Sequence, residues 1–282
     1  MKTTHSQWRK WRANMGWAVA WSATALVLFG LVNLVGTIVG RGATSFRWNM
    51  LTHVIQGTPA GLQNAILGTL ELVFLSTVMA APLGILGGVY TSEFASARVA
   101  KTIRFLTEVL SGVPSIVVGY FGYLLMVLAW GWKFSALAGG FALTVIMLPY
   151  ILRNTEASLQ QVPLSLREAA WGLGMTRFQA ISRVIWRPAA SGMATGVLMA
   201  IAIGMGETAP LLYTAGWSSV NPNFQLIHSQ VGYLTYVVWT YIEQPYESAH
   251  QLAYSAAFLL LLVVLFINVV VRAFLTRRSL RG

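Results

Sequence analysis

The sequence contains no cysteine and no aspartate, only four lysines, and charge on just 10% of its 282 residues. Each shortage removes a class of chemistry. Without cysteine there are no disulfides, thiolate metal sites or cysteine nucleophiles. Without aspartate, acidic chemistry rests on eight glutamates, and no two are paired for acid–base catalysis. The four histidines, His5, His53, His228 and His250, are scattered without metal-ligand spacing. None of the lysines (Lys2, Lys10, Lys101, Lys133) follows a glycine, so there is no GxxxxGK[ST] loop to cradle nucleotide phosphates. Soluble domains carry charge on about a quarter of their residues. The deficit here implies a different solvent.

What is present is apolar length. Hydrophobic residues make up 56% of the chain and fall into runs that can cross a bilayer. Six spans are predicted, at about 17–40, 65–90, 106–130, 134–152, 189–213 and 251–271, which makes this an all-α, polytopic membrane protein with a permease body over 17–275. Residues 1–16 are basic with Trp8 and Trp11 interleaved, the pattern of an interfacial anchor. The apolar run behind them is longer than a signal-peptide core, so it reads as a retained helix. A basic tail, 276–282, closes the chain.

The net charge of +11 suggests nucleic acid until its distribution is considered. With six spans, one side collects sixteen Lys and Arg from the N-terminus, the 91–105 loop (Arg98, Lys101, Arg104), residues 153–188 and the tail; the other side collects three. That imbalance places both termini and the 153–188 segment in the cytoplasm. Making 226–242 a seventh span would move the basic tail outside. It is therefore expected to be an amphipathic element on the outer surface.

Three polar features interrupt the apolar runs. Ser111-Gly112-Val113-Pro114-Ser115 breaks the third span, because Pro114 cannot donate and Gly112 is permissive. Such a break at membrane depth is tolerated where it is buried in protein or faces a wet cavity. Glu71, near one end of the second span, reads as a solvated or helix-end carboxylate. Glu207 lies inside the fifth span among Gly204, Gly206 and Pro210. An ionised group at the bilayer centre costs roughly 2.5–3.5 kcal/mol on insertion scales, so Glu207 calls for a partner. Glu207, Thr208, Gly206 and Pro210, with Ser111 and Ser115, form the predicted substrate path. The plain alternative is a carboxylate that pins a helix kink.

Residues 153–188 are too charged for the bilayer and too short for a domain. Helix is favoured around Glu168-Ala169-Ala170, interrupted at Gly172 and Gly174, and resumed from Thr176 to Ile185 until Pro188 marks the start of the fifth span. Two short helices joined by a glycine turn make a compact knob that can transmit a push from a cytoplasmic partner.

The order Glu168-Ala169-Ala170, Gly174, Val184, Pro188 resembles the EAA loop of ABC-importer permeases, with Trp186 and Arg187 departing from the usual residues at its end. The stretches SGVPSIVVG (111–119) and GETAPLLYTAG (206–216) are similar to those of phosphate-importer permeases, and the likeness runs from the second span to the tail. This resemblance implies a type I, MetI-like permease without a cofactor in a bacterial inner membrane. Its implied partners are a sister permease subunit, two copies of an ATPase subunit and an extracytoplasmic phosphate-binding protein. It implies that Glu168, Ala169, Ala170 and Gly174, with Arg167 and Arg177, couple to the ATPase. A carboxylate does not attract phosphate, so Glu207 is expected to act indirectly, by orienting an arginine of the sister subunit or accepting a hydrogen bond from protonated phosphate. Ile203 stands where many relatives carry arginine, which leaves related oxyanions open. An ion-coupled secondary transporter is the alternative class, but it would need repeated halves with several midplane acidic groups.

Overall fold

The computed structural model describes residues 3–56, 60–223 and 225–279, and the regular structure among them is entirely helical. Residues 1–2 of the basic N-terminal stretch and 280–282 of the basic tail, with 57–59 and 224, lie outside the described residues. Five helices are long and apolar enough to cross a membrane, and a bent pair makes a sixth crossing.

Helix α1 (Thr3–Ser45) is continuous, so the basic stretch from residue 3 to 16 is its first four turns and not a separate segment. Its neighbour is α11 (Glu247–Ser279), and its apolar surface is otherwise uncovered. The core is built by α2 (Gln63–Val89), α5 (Ala136–Gln160) and α8 (Trp186–Gly206). These helices are apolar on nearly every face, as expected of segments stabilised by lipid outside and packing inside. Their prolines, Pro82 in α2 and Pro149 in α5, sit within the helices, where neighbouring chain can compensate for lost donors.

Small residues set how closely these helices approach. Along α2 and α5 a Cβ placed on Gly139 would lie 2.8 Å from Leu72, one on Gly84 2.7 Å from Ile151, and one on Gly88 2.6 Å from Thr155. Along α5 and α8 the contacts are Gly204 on Met147, Gly196 on Asn154 and Gly192 on Ser158. The α2–α5 contacts advance together along both helices, so those two are parallel, whereas the α5–α8 contacts run in opposite directions, so α8 is antiparallel to α5. It is the axle of the fold, with 61% of its most apolar window buried against 33% in each flanking helix.

Four expectations are corrected. The basic 91–105 loop is largely helical, forming α3 (Ala97–Gly112), which turns by 93° at Val113-Pro114 into α4 (Ser115–Gly122) and a widened turn to Ala129. The third apolar stretch therefore includes the end of α3 and is bent within itself at Val113-Pro114. Residues 153–160 belong to α5, so the knob is confined to α6 (Leu164–Gly172), its turn and α7 (Arg177–Ala180). From Arg177 the helix continues through Pro188 to Gly206, where it breaks before α9 (Ala209–Thr214). Pro188 terminates nothing: the preceding Ile181–Ile185 turn is widened to i→i+5 spacing, with the Trp186 N–H donating to the Ile181 carbonyl, and the helix runs on past the residue that has no donor. Finally, only Leu234–Ile242 (α10) of the 226–242 segment is helical, and Leu234, Thr235 and Val237 are buried against α2 and α11. It is wedged into the bundle.

The tight α2–α5 approach carries a test. Gly88→Leu should overpack the contact with Thr155 and cost about 1–3 kcal/mol, read as a lower melting temperature of the purified protein in detergent.

Candidate functional site

The two sequence breaks meet. Helix α4, after the Val113-Pro114 bend, packs on α9, after the Glu207-Thr208 break. Gly119 sits on Pro210, where a Cβ would come within 2.5 Å of its Cα, and Gly122 faces Thr214. Tyr120 meets Tyr213 edge to face at 6.0 Å. These contacts advance together along both helices, so α4 and α9 are parallel and their broken starts lie at one level. Ser115, one turn before Gly119, therefore sits at the depth of Gly206 and Glu207. Ser111 lies on the far side of the bend, exposed, with its hydroxyl donating to the Glu108 carbonyl at 2.9 Å.

Glu207 has extended backbone, which aims it out of the helical path, and its N–H donates to the Gly204 carbonyl. Its own carbonyl accepts from Thr235 Oγ1 at 2.8 Å, and the Leu234 N–H donates to Thr69 Oγ1 at 2.9 Å. The wedged start of α10 thus fixes the break from the other side. Glu207, Thr69, Thr235 and Tyr233 line a small cavity of about 10 Å³, the smallest space that holds one water. The Tyr233 hydroxyl is buried there without a protein partner. Burial, with Tyr236 beside it, holds its phenol far above the usual range, so it stays neutral. Gly206 and Thr208 line an adjoining apolar groove among α1, α8, α10 and α11, which shares Thr235 with the small cavity. Thr69, Tyr233 and Thr235 carried no sequence signal, because each joins the site through contacts between distant segments. Glu71 is also unlike its expectation: it lies two turns inside α2, half-buried, with Oε2 shielded and unpartnered.

At the other end of α8 the knob has the expected form. Helix α6 ends at Gly172, Gly174 takes a positive φ of 72° in the turn, and α7 starts with Thr176 and Gln179 satisfying one another's backbone amides. Ala170 packs inward on Ile181 and Ile185, while Glu168, Ala169, Gly174 and Arg177 are exposed. Around them stand Leu173 (77% exposed), Phe178 (72%) and Trp171 (50%). Arg167 points inward. It donates to Glu93 at 2.6 and 3.0 Å in a bidentate pair and to the Leu159 carbonyl at 2.7 Å. Glu93 lies in the widened turn that ends α2, so this pair ties the knob to both α2 and α5. A parallel tie joins α3 to α5: Glu156, buried, accepts from Arg104 at 2.6 and 2.7 Å and from Gln160 at 3.1 Å. The Arg153–Glu108 pair, at 3.8 Å and exposed, adds little.

A helical bundle with a bent third crossing, a broken fifth and a knob between the fourth and fifth is the fold of an importer permease. The subunit in the inward-facing MetNI methionine ABC transporter superposes with a TM-score of 0.60 over 82% of this chain and 99% of that one, at 19% identity. The chain belongs to the family of binding-protein-dependent transport system inner membrane components, which matches residues 80–279. Its relatives include the phosphate transport system permease protein PstA 2 of Mycobacterium bovis, 44% identical over 88% of this chain and 83% of that protein. PstA of Pasteurella multocida is 34% identical over 99% and 100% respectively.

The Arg167–Glu93 tie is testable because both side chains are shielded, at 14% and 9% exposure. Arg167→Met should destabilise the protein by about 3–5 kcal/mol through the uncompensated carboxylate. Adding Glu93→Leu should restore most of the loss, as measured by thermal unfolding of both variants.

Proposed function

We propose that the chain is one half of the translocation pore of an ATP-driven phosphate importer. The observation that carries this reading is the parallel packing of the two helix breaks, which sets Glu207, Thr208 and Ser115 at one depth beside irregular backbone. Irregular backbone within a membrane is stable where it lines a path or is sealed by protein. In the assembled importer a sister permease completes the path, two ATPase subunits drive it, and an extracytoplasmic phosphate-binding protein supplies it. Both termini face the cytoplasm, in keeping with the Lys and Arg imbalance.

A carboxylate repels phosphate, so Glu207 acts on it indirectly. It orients an arginine of the sister chain, or accepts a hydrogen bond from a protonated phosphate oxygen. Direct donors are the Thr208 hydroxyl and the amides of Ser115 and Ile116, which precede the first helical bond of α4 from Val117 to Pro114. Gly206 and Pro210 keep the backbone open at this level. Ser111, already bonded to its own helix, serves at the margin.

Coupling falls to the exposed side of the knob. Leu173, Phe178 and Trp171 form an apolar surface that water alone does not stabilise, and Glu168, Ala169, Gly174 and Arg177 surround it. Ala170 and Arg167 hold this surface to the bundle. A push on α6 is passed through Arg167 to α2 and α5, and through α7 directly into α8, at whose far end stands Glu207.

The test is uptake by the complete importer in proteoliposomes supplied with ATP and phosphate-binding protein. Phosphate should enter and sulfate should compete weakly. Sulfate transport in its place would reassign the anion, and absence of ATP-dependent anion flux would end the reading. Glu207→Gln should lower uptake about tenfold or more, the worth of a charged hydrogen bond, with assembly intact. Leu173→Asp should release the ATPase subunits and abolish uptake, checked by copurification.

A further inference from the structure

Two residues among those described, other than glycine, adopt positive φ: Lys133 at 57° and His228 at 66°. They come from loops 95 positions apart in sequence and line the same cavity, of about 590 Å³, at the end of the bundle opposite the knob. Positive φ strains a side chain with a Cβ and is retained where surrounding structure enforces it, a pattern concentrated at ligand sites. Here the enforcing contacts are visible. The His228 N–H donates to the Trp132 carbonyl at 3.0 Å, and Nε2 lies 3.0 Å from the Gly131 carbonyl. A carbonyl only accepts, so Nε2 carries the proton and Nδ1 is the nitrogen left for another partner. The two loops are thereby locked to each other with Lys133 next to the lock.

The rest of the lining carries no carboxylate: Ser218, Ser229, Gln230 and Tyr123 supply hydroxyl and amide groups, and Val127, Leu128 and Phe134 form its apolar side. None of the three ion pairs among the described residues uses Lys133. The other cationic pocket at this end, with Arg41 and Arg47, differs because Glu247 sits within it and Arg41 already bonds Tyr254. The cavity floor continues from the candidate path. Gly216, just past α9, is in contact range of Phe134 and Gln230, and the Ser135 N–H donates to the Thr214 carbonyl. From Thr208 to this floor is roughly 10 Å along α9.

We propose that this cavity is a receiving site for the oxyanion before it reaches the helix breaks, with the Lys133 ammonium as the charge and Ser218, Ser229 and Gln230 as neutral donors. An ammonium with hydroxyl and amide donors suits a tetrahedral oxyanion that keeps part of its water. The proposal rests on the phosphate-importer reading and places a step upstream of Glu207.

Lysine labelling tests it directly, because Lys101 in the same chain, exposed and remote, is an internal control. In the assembled importer without binding protein, inorganic phosphate should slow acylation of Lys133 and leave Lys101 unchanged. Equal labelling at both would overturn the site. If the same preparation still takes up phosphate, the importer reading stands and only the receiving site falls; if it takes up none, the importer reading falls first. Lys133→Asn keeps a residue that tolerates positive φ, so thermal stability should hold or rise. Uptake at saturating loaded binding protein should nevertheless fall about tenfold. A variant that instead weakens docking of phosphate-free binding protein, with uptake recovering at higher protein concentration, would make Lys133 a protein contact and overturn the proposal.

Discussion

The close approach of α5 to both α2 and α8 is the constraint on which the rest depends. In lipid there is no hydrophobic gain from bringing two apolar helices together, so association rests on how many atoms touch and how near the backbones come. Glycines at Gly84, Gly88, Gly192 and Gly196 provide that nearness, and α5 answers with short or β-branched residues such as Thr155, Asn154 and Ser158. Everything functional is attached to this axle. The knob leaves from its end, α3 is tied to it through Glu156, and α9 lies along its first turns.

The polar ties are placed where they can bear load. Arg167–Glu93 and Arg104–Glu156 are at the knob end of the bundle, each with one or both groups sheltered from water. Shelter strengthens attraction, but makes the loss of one partner costly. They therefore act as stiff joints between segments that local helix geometry would leave independent. At the other end the fastening is uncharged: Thr235 to the Glu207 carbonyl, Thr69 to the Leu234 amide, and Asn64 to the Ser218 carbonyl at 2.8 Å. The knob end is therefore fastened by charge, and the end with the helix breaks by neutral hydrogen bonds.

Much of this was legible from residues alone. Apolar run length gave the crossings, Gly172 and Gly174 gave the knob, and the prolines and glycines of SGVPS and GETAP marked the breaks. What stayed hidden was contact between distant segments. Glu93 and Arg167 are 74 residues apart, and nothing in either neighbourhood announces the other. Arg167 thus read as part of an outward surface because its helix does face outward, although its own side chain reaches back. The burial of α10 was hidden for a related reason: Leu234–Ile242 is apolar enough for a membrane surface or a bundle interior, and only its packing on α2 and α11 decides. The extension of α3 through charged residues was missed because Arg98, Lys101 and Arg104 signal a loop by composition, while their spacing leaves Phe105, Leu106 and Val109 on an exposed apolar surface.

The right-angled turn at Val113-Pro114 also affects the lipid. Within the bent pair that makes the third crossing, the arm beyond the turn is Ser115–Ala129. Fifteen helical residues reach roughly 22 Å, against a hydrocarbon thickness of about 30 Å. If α3 lies along the surface, the bilayer beside α4 has to dimple, or headgroups have to sink to meet the end of α3. Either adjustment would shorten the low-dielectric slab beside Ser115, so a bend in one helix would change the thickness of the lipid around it.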